Sequence, residues 1–185
     1  DANMNHIWSN SIGSNLYESI VDMDVHTNGD VYITGSFADS LDLDPSLSNS
    51  YWIYENGYPF DMFLAKYDSN GSFVWGKGIP GIYAYVKGIE VDNIRNPYIT
   101  GYFEDSISFN SVTNNYHFSQ GYRDVFFAKY NSSGTSEWSH TIGSTLFDKG
   151  LNLNFDNSNN LYVVGEFYGT INLSTGPIPD MHVSA

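Results

Sequence analysis

Cysteine is absent from this 185-residue chain, which excludes disulfides, thiolate metal sites and a cysteine nucleophile. Basic residues are scarce: seven Lys plus Arg stand against 21 Asp plus Glu, for a net charge of −14. Nucleic-acid affinity rests on Lys and Arg displacing counterions from phosphates, so no nucleic-acid partner is expected. The same balance disfavours an anionic membrane surface. No apolar run approaches the ~20 residues of a membrane helix, so membrane insertion is not expected. The chain opens on Asp1-Ala2-Asn3 rather than a basic stretch before an apolar one. A processed product and an internal segment would both read this way.

What is present favours short strands. The chain is 41% hydrophobic but only 15% charged, with Tyr, Phe and Trp prominent and good helix formers sparse. One phrase recurs: Asp61–Trp75 reads DMFLAKYDSNGSFVW and Asp124–Trp138 reads DVFFAKYNSSGTSEW. Asp180–Ala185 (DMHVSA) reads as its beginning, and Asp1–Trp8 as its second half. Trp8, Trp75 and Trp138 mark repeats spaced by 67 and 63 residues. A Lys-Tyr pair would join end to start, giving almost three repeats within one domain, 1–185.

Each repeat carries the same strand signals. Ile20–His26, Val86–Asp92 and Gly150–Asp156 alternate with period two. Asn- and Gly-bearing turns follow, then Val31–Phe37, Pro97–Phe103 and Leu161–Phe167. Gly35, Gly101 and Gly165 recur in mid-strand, where glycine costs stability, which predicts a bulge or close backbone approach. Asp61–Tyr67 and Asp124–Tyr130 form third strands; Ser72–Ile79 and Thr135–Ile142 form Trp-bearing fourth strands. Four antiparallel strands per ~60-residue unit predict an all-β fold of about three propeller-type blades, cut between third and fourth strands. Three blades leave a wedge, so the expectation is a partial propeller or part of a larger ring. Further blades or a second copy of the chain would complete it. The third repeat reads as lacking the hairpin insertion that the first two carry between Gly and Asp.

The pattern D-x-F-x-A-K-Y-x-x-x-G-x-x-W, with VDMDVHTNGDVYITGSF and SLDLDP, resembles the bacterial β-propeller repeats called SBBP (seven-bladed β-propeller) repeats. That resemblance spans practically the whole chain. It implies an extracellular or cell-surface protein of bacteria and supplies no catalytic residues to carry over.

Carboxylates gather near the first strands: Glu18, Asp22, Asp24; Glu90, Asp92; Asp148, Asp156. Converging on a channel, such acids suit glycoside hydrolysis or a cation. Asp22 and Asp24 are the candidate metal ligands, with calcium the ion considered and no other cofactor expected. Their loop departs from the EF-hand pattern at His26 and lacks its closing Glu. The five histidines form no closely spaced pair, and no nucleophile elbow or phosphate loop appears.

Aromatics in the insertions are the better binding candidates: Tyr51, Trp52, Tyr54 and Tyr58 in repeat one, Tyr116 and Tyr122 in repeat two. Such rings stack on sugars or anchor a protein, or else pack against the next blade. The reading is therefore a non-catalytic extracellular scaffold or binding module for glycan or protein. A polysaccharide hydrolase or lyase with acids in the channel, and a structural repeat building a ring or fibre, are the alternatives.

Overall fold

The computed structural model describes residues 3–14, 16–110, 116–174 and 181–184, and every regular element among them is a β-strand. In the first repeat β1 (Glu18–Val25) and β2 (Val31–Phe37) are followed by a short hairpin, β3 (Ser40–Asp42) and β4 (Trp52–Tyr54). Then come β5 (Asp61–Tyr67) and β6 (Phe73–Ile79), and the sheet order is β1-β2-β5-β6. The second repeat copies this with β7 (Tyr85–Val91), β8 (Pro97–Phe103), the hairpin β9 (Ser106–Ser108) and β10 (Tyr116–Phe118), β11 (Asp124–Tyr130) and β12 (Ser136–Ile142). Its sheet order is β7-β8-β11-β12. The third repeat supplies β13 (Lys149–Phe155) and β14 (Leu161–Glu166), then the hairpin β15 (Thr170–Asn172) and β16 (Met181–Val183). These are propeller-type blades. Their first strands are neighbours, β1 against β7 and β7 against β13, so they form the inner side of the array.

β2 and β5 are buried along their whole length because both faces of their sheet are covered. Tyr32, Met62 and Leu64 enter one cluster with Ile99, Phe103, Phe126 and Tyr130 of the second blade. The alternate residues Ile33, Phe37, Phe63 and Tyr67 enter a second cluster, against which Trp8 and Ile12 pack. The first blade is thus a sheet with two inner faces, covered by the second blade on one side and by the Trp8–Ile12 segment on the other. Lys66 crosses the rim of this core to Asp30 at 2.7 Å, both side chains nearly buried.

Polar ties repeat between blades. The Trp8 indole N–H donates to Ser69 O at 3.1 Å, and Trp75 donates to Ser132 O at the same distance. Each indole lies over the glycine of the receiving turn, Gly71 or Gly134. Both glycines hold φ +80°, and a Cβ there would meet the indole ring.

The recurring mid-strand glycine is a bulge device. The register slips between Ile20 and Asp22, Val86 and Gly88, and Gly150 and Asn152, each slip beside the pairing of Gly35, Gly101 or Gly165. A Cβ on Gly35 or Gly101 would overlap the carbonyl oxygen of Ser19 or Tyr85.

Two expectations are corrected. The third repeat does carry the hairpin: β15 pairs with β16, Ile171 opposite His182, as Leu41 pairs with Ile53 and Ile107 with His117. Met181–Val183 is therefore the second hairpin strand and not the start of a third blade strand. Asp180 and Ala185 lie outside the described residues. The predicted join of end to start falls with it, because a hairpin strand precedes the join. The N-terminal phrase keeps its meaning in part. Trp8 docks as a fourth-strand tryptophan, although the residues around it form no strand, and Asp1 and Ala2 lie outside the described residues.

Candidate binding face

The three hairpins share one construction. Each begins at a residue in the left-handed region: Asp39 (φ 61°), Asp105 (φ 56°) and Gly169 (φ 76°). Its carbonyl then closes the hairpin, accepting from Glu55 N, Ser119 N and Ser184 N at 2.7, 2.9 and 2.8 Å. Because strands three residues long alternate, the central residues Leu41, Ile107 and Ile171 point inward. The two flanking positions of the second strand point out. They are Trp52 and Tyr54, Tyr116 and Phe118, and Met181 and Val183, each between 45% and 73% exposed. All three hairpins follow the second strand of their blade, and blades side by side put them at one end of the array. That end carries three exposed apolar pairs in the same register.

Trp52 borders a shallow pocket of about 280 Å³ with Gly13, Ser14, Leu16, Asp39 and Ser40. Tyr54 is two-thirds exposed. Tyr51 is tied down against Phe73, ring centroids 4.9 Å apart, and Tyr58 is partly exposed beside β5. Tyr122 stacks on Phe147 at 4.9 Å and 10°, and Arg123 lies over the same Phe147 ring. The structure thus brings Trp52, Tyr54 and Tyr116 to equivalent positions. Tyr51, Tyr58 and Tyr122 stand outside that register. Phe118, Met181 and Val183 belong to it and were not singled out from sequence; the signal was the shared alternation of Trp52-Ile53-Tyr54, Tyr116-His117-Phe118 and Met181-His182-Val183.

The carboxylates are otherwise employed. Asp22 accepts from Met23 N through Oδ1 and from Ile89 N of the next blade through Oδ2, at 2.9 and 3.0 Å. Asp24 repeats this with Val25 N and Val91 N, at 2.7 and 2.8 Å. In the following interface Glu90 accepts from Asn154 Nδ2 at 3.0 Å. Burial, with repulsion from Asp24 and Asp22, pushes the Glu90 carboxyl up. Asp24, Glu90, Asp92 and Asp156 border a cavity of about 470 Å³ at the end opposite the hairpins. Asp92 and Asp156 instead cap their own turns, accepting from Asn96 N and Asn160 N at 2.8 Å. Among the described residues no three His, Asp or Glu side chains gather as a metal-binding group.

Asp61 anchors the hairpin end to its blade. It accepts from Asn56 N at 3.0 Å and from Gly81 N at 3.4 Å while almost wholly buried. Burial raises its pKa to about 6, against the pull of those two bonds. With the folded value above the unfolded one, the proton favours the fold: the contribution is full below about pH 4 and is lost as pH rises through 6. Two pK units correspond to roughly 3 kcal/mol at most. The stability difference between the parent and Asp61→Asn is therefore expected to change between pH 4 and 7 and to be flat above that. Urea midpoints across this range check it, and parallel curves would remove Asp61 as the titrating group.

No family model matches the chain. It is similar to an uncharacterized WD repeat-containing protein of Acanthamoeba polyphaga mimivirus, 29% identical over 186 residues. The alignment covers 90% of this chain and 13% of the viral protein, so the chain spans a small part of that relative's length.

Proposed function

We propose that the chain is a non-catalytic propeller-type binding module whose hairpin end holds a protein or a glycan. The observation that carries this reading is the shared hairpin register, which holds Trp52, Tyr54, Tyr116 and Phe118 outward on rigid two-stranded supports. Aromatic rings with an apolar body and little side-chain entropy to lose are effective anchors for either ligand class. The resemblance to a WD repeat-containing protein supports a scaffold role. The SBBP-type phrase supports a secreted or surface setting in bacteria. The bonding of Asp22 and Asp24 supports the absence of catalysis and of a cofactor: calcium would have to displace four N–H donors from those two carboxylates.

The test is a glycan array run with the parent chain and with Trp52→Ala/Tyr116→Ala. A bound glycan is expected to lose about tenfold in affinity in the double variant, the scale of two lost aromatic contacts. Binding that survives both substitutions would move the site off the hairpins. A hydrolysed polysaccharide would overturn the non-catalytic reading, and Glu90→Gln would then be the variant to assay.

A further inference from the structure

Lys77, on β6, is a partly buried cation without a counter-charge in a chain of net charge −14. Lys66, Lys129 and Lys149 each meet a carboxylate, those of Asp30, Glu137 and Glu166. Among the described residues no carboxylate reaches Lys77. Its ammonium stands 4.8 Å over the Tyr130 ring, and burial pushes its pKa down with no acid near enough to oppose the shift. A charge withdrawn from water is costly unless paired, and a cation–π contact offsets only part of that cost.

The other repeats place different groups here. Asn10, Lys77 and His140 each stand two residues after the tryptophan of their repeat. Asn10 is satisfied within the chain, donating through Nδ2 to Gly71 O at 2.6 Å. Two residues before the tryptophan the blades differ again. Phe73 pairs with Tyr67 and packs on its ring, centroids 6.0 Å apart, whereas Ser136 pairs with Tyr130. A hydroxymethyl group in place of a phenyl ring leaves space over Tyr130, and Lys77 reaches into it. The cavity there holds about 210 Å³ and is lined by Lys77, Ser108, Phe109, Thr135 and Ser136 among others. It lies between blades one and two, both of them complete four-stranded sheets.

We propose that this cavity binds a carboxylate, with the Lys77 ammonium as its counter-charge and the Thr135 and Ser136 hydroxyls as further donors. Hydrogen bonds between an ammonium and a carboxylate are charge-assisted and stronger than neutral ones. One cation balances one negative charge, and in so acidic a chain a divalent phosphate meets repulsion that a single carboxylate largely avoids. The volume is below that of a pocket for a drug-sized ligand, so it suits one small polar group. Free small acids and the uronic acids of a glycan both carry that group. None of the exposed hairpin aromatics lines the cavity, so the site goes beyond the face proposed above and is tested apart from it.

The probes are sodium acetate, sodium glucuronate, sodium phosphate and glucose, titrated into the whole isotope-labelled chain at ionic strength held constant with sodium chloride. Saturable shifts are expected with both carboxylates at the Lys77 ammonium and at the Thr135 and Ser136 amides, and none with glucose. Glucuronate binding about tenfold more tightly than acetate would give the site to a sugar acid, and equal affinity to a free acid; either supports it. Lys77→Met keeps the stem, removes the charge and is expected to weaken acetate about tenfold. Ser136→Phe installs the residue that blade one carries and is expected to abolish binding while amide resonances elsewhere stay in place. Trp52→Ala should leave acetate affinity unchanged. Absence of saturable shifts, an unchanged acetate affinity in Lys77→Met, or binding that survives Ser136→Phe would overturn the site. Phosphate binding more tightly than acetate would overturn its assignment to a carboxylate.

Discussion

Gly101→Ala is expected to abolish the folded state of the second blade. The added methyl group would overlap the Tyr85 carbonyl oxygen and press on the Phe126 ring at 2.9 Å. Neither can retreat cheaply. Tyr85 is fixed by the bulge between Val86 and Gly88, and Phe126 is fully buried in the cluster that joins the first two blades. A loss above about 4 kcal/mol follows, the scale of overpacking against backbone combined with a broken ladder. The control is Gly57→Ala, where φ is +87° but nothing lies within 4 Å; its cost should be about 1 kcal/mol, from backbone conformation alone. Urea denaturation followed by circular dichroism compares the two. Similar midpoints for both variants would show that the bulge yields, contrary to the geometry.

Phe126→Ala should be the most costly truncation to alanine in the core. Its ring lies 5.2 Å from Phe109, and its cluster unites Tyr32, Met62 and Leu64 of blade one with Ile99 and Phe103 of blade two. Removing it leaves a cavity between two blades, at about 3–5 kcal/mol. For a chain of this length that lowers the melting temperature by on the order of 10 °C. The exposed Phe118, on the hairpin end, serves as comparison: Phe118→Ala should move stability by no more than about 0.5 kcal/mol. A Phe126→Ala midpoint equal to that of Phe118→Ala would mean that the blades do not share one core.

Much of this framework was legible in the sequence, for a physical reason. Strands such as Val31–Phe37 and Asp61–Tyr67 are seven residues long, and their close recurrence at Pro97–Phe103 and Asp124–Tyr130 leaves little freedom for another assignment. Gly35, Gly101 and Gly165 were readable as close-approach positions because glycine is costly in a strand that gains nothing from it. The hairpins were not readable in the third repeat. A three-residue strand such as Met181–Val183 carries a single inward side chain, and the sequence pair Asp180-Met181 imitates Asp61-Met62. The candidate site divides the same way. Exposed aromatics in the insertions were visible, but their common register depends on Asp39, Asp105 and Gly169 adopting one left-handed backbone conformation, which is uncommon for Asp and so is not announced by the two Asp positions. Asp22 and Asp24 looked like cation ligands because their amide donors, Ile89 and Val91, lie 67 residues away in sequence.

The tryptophan ties have a consequence for synthesis. Trp75 reaches forward to Ser132, 57 residues later, and Trp8 to Ser69, 61 residues later. At ribosomal rates of roughly 5–20 residues per second, each indole waits about 3–12 s for its acceptor to be made. Throughout that interval the newest blade shows a bare apolar flank, and the repeat being translated is what covers it. Every blade thus acts as the chaperone of the one before it.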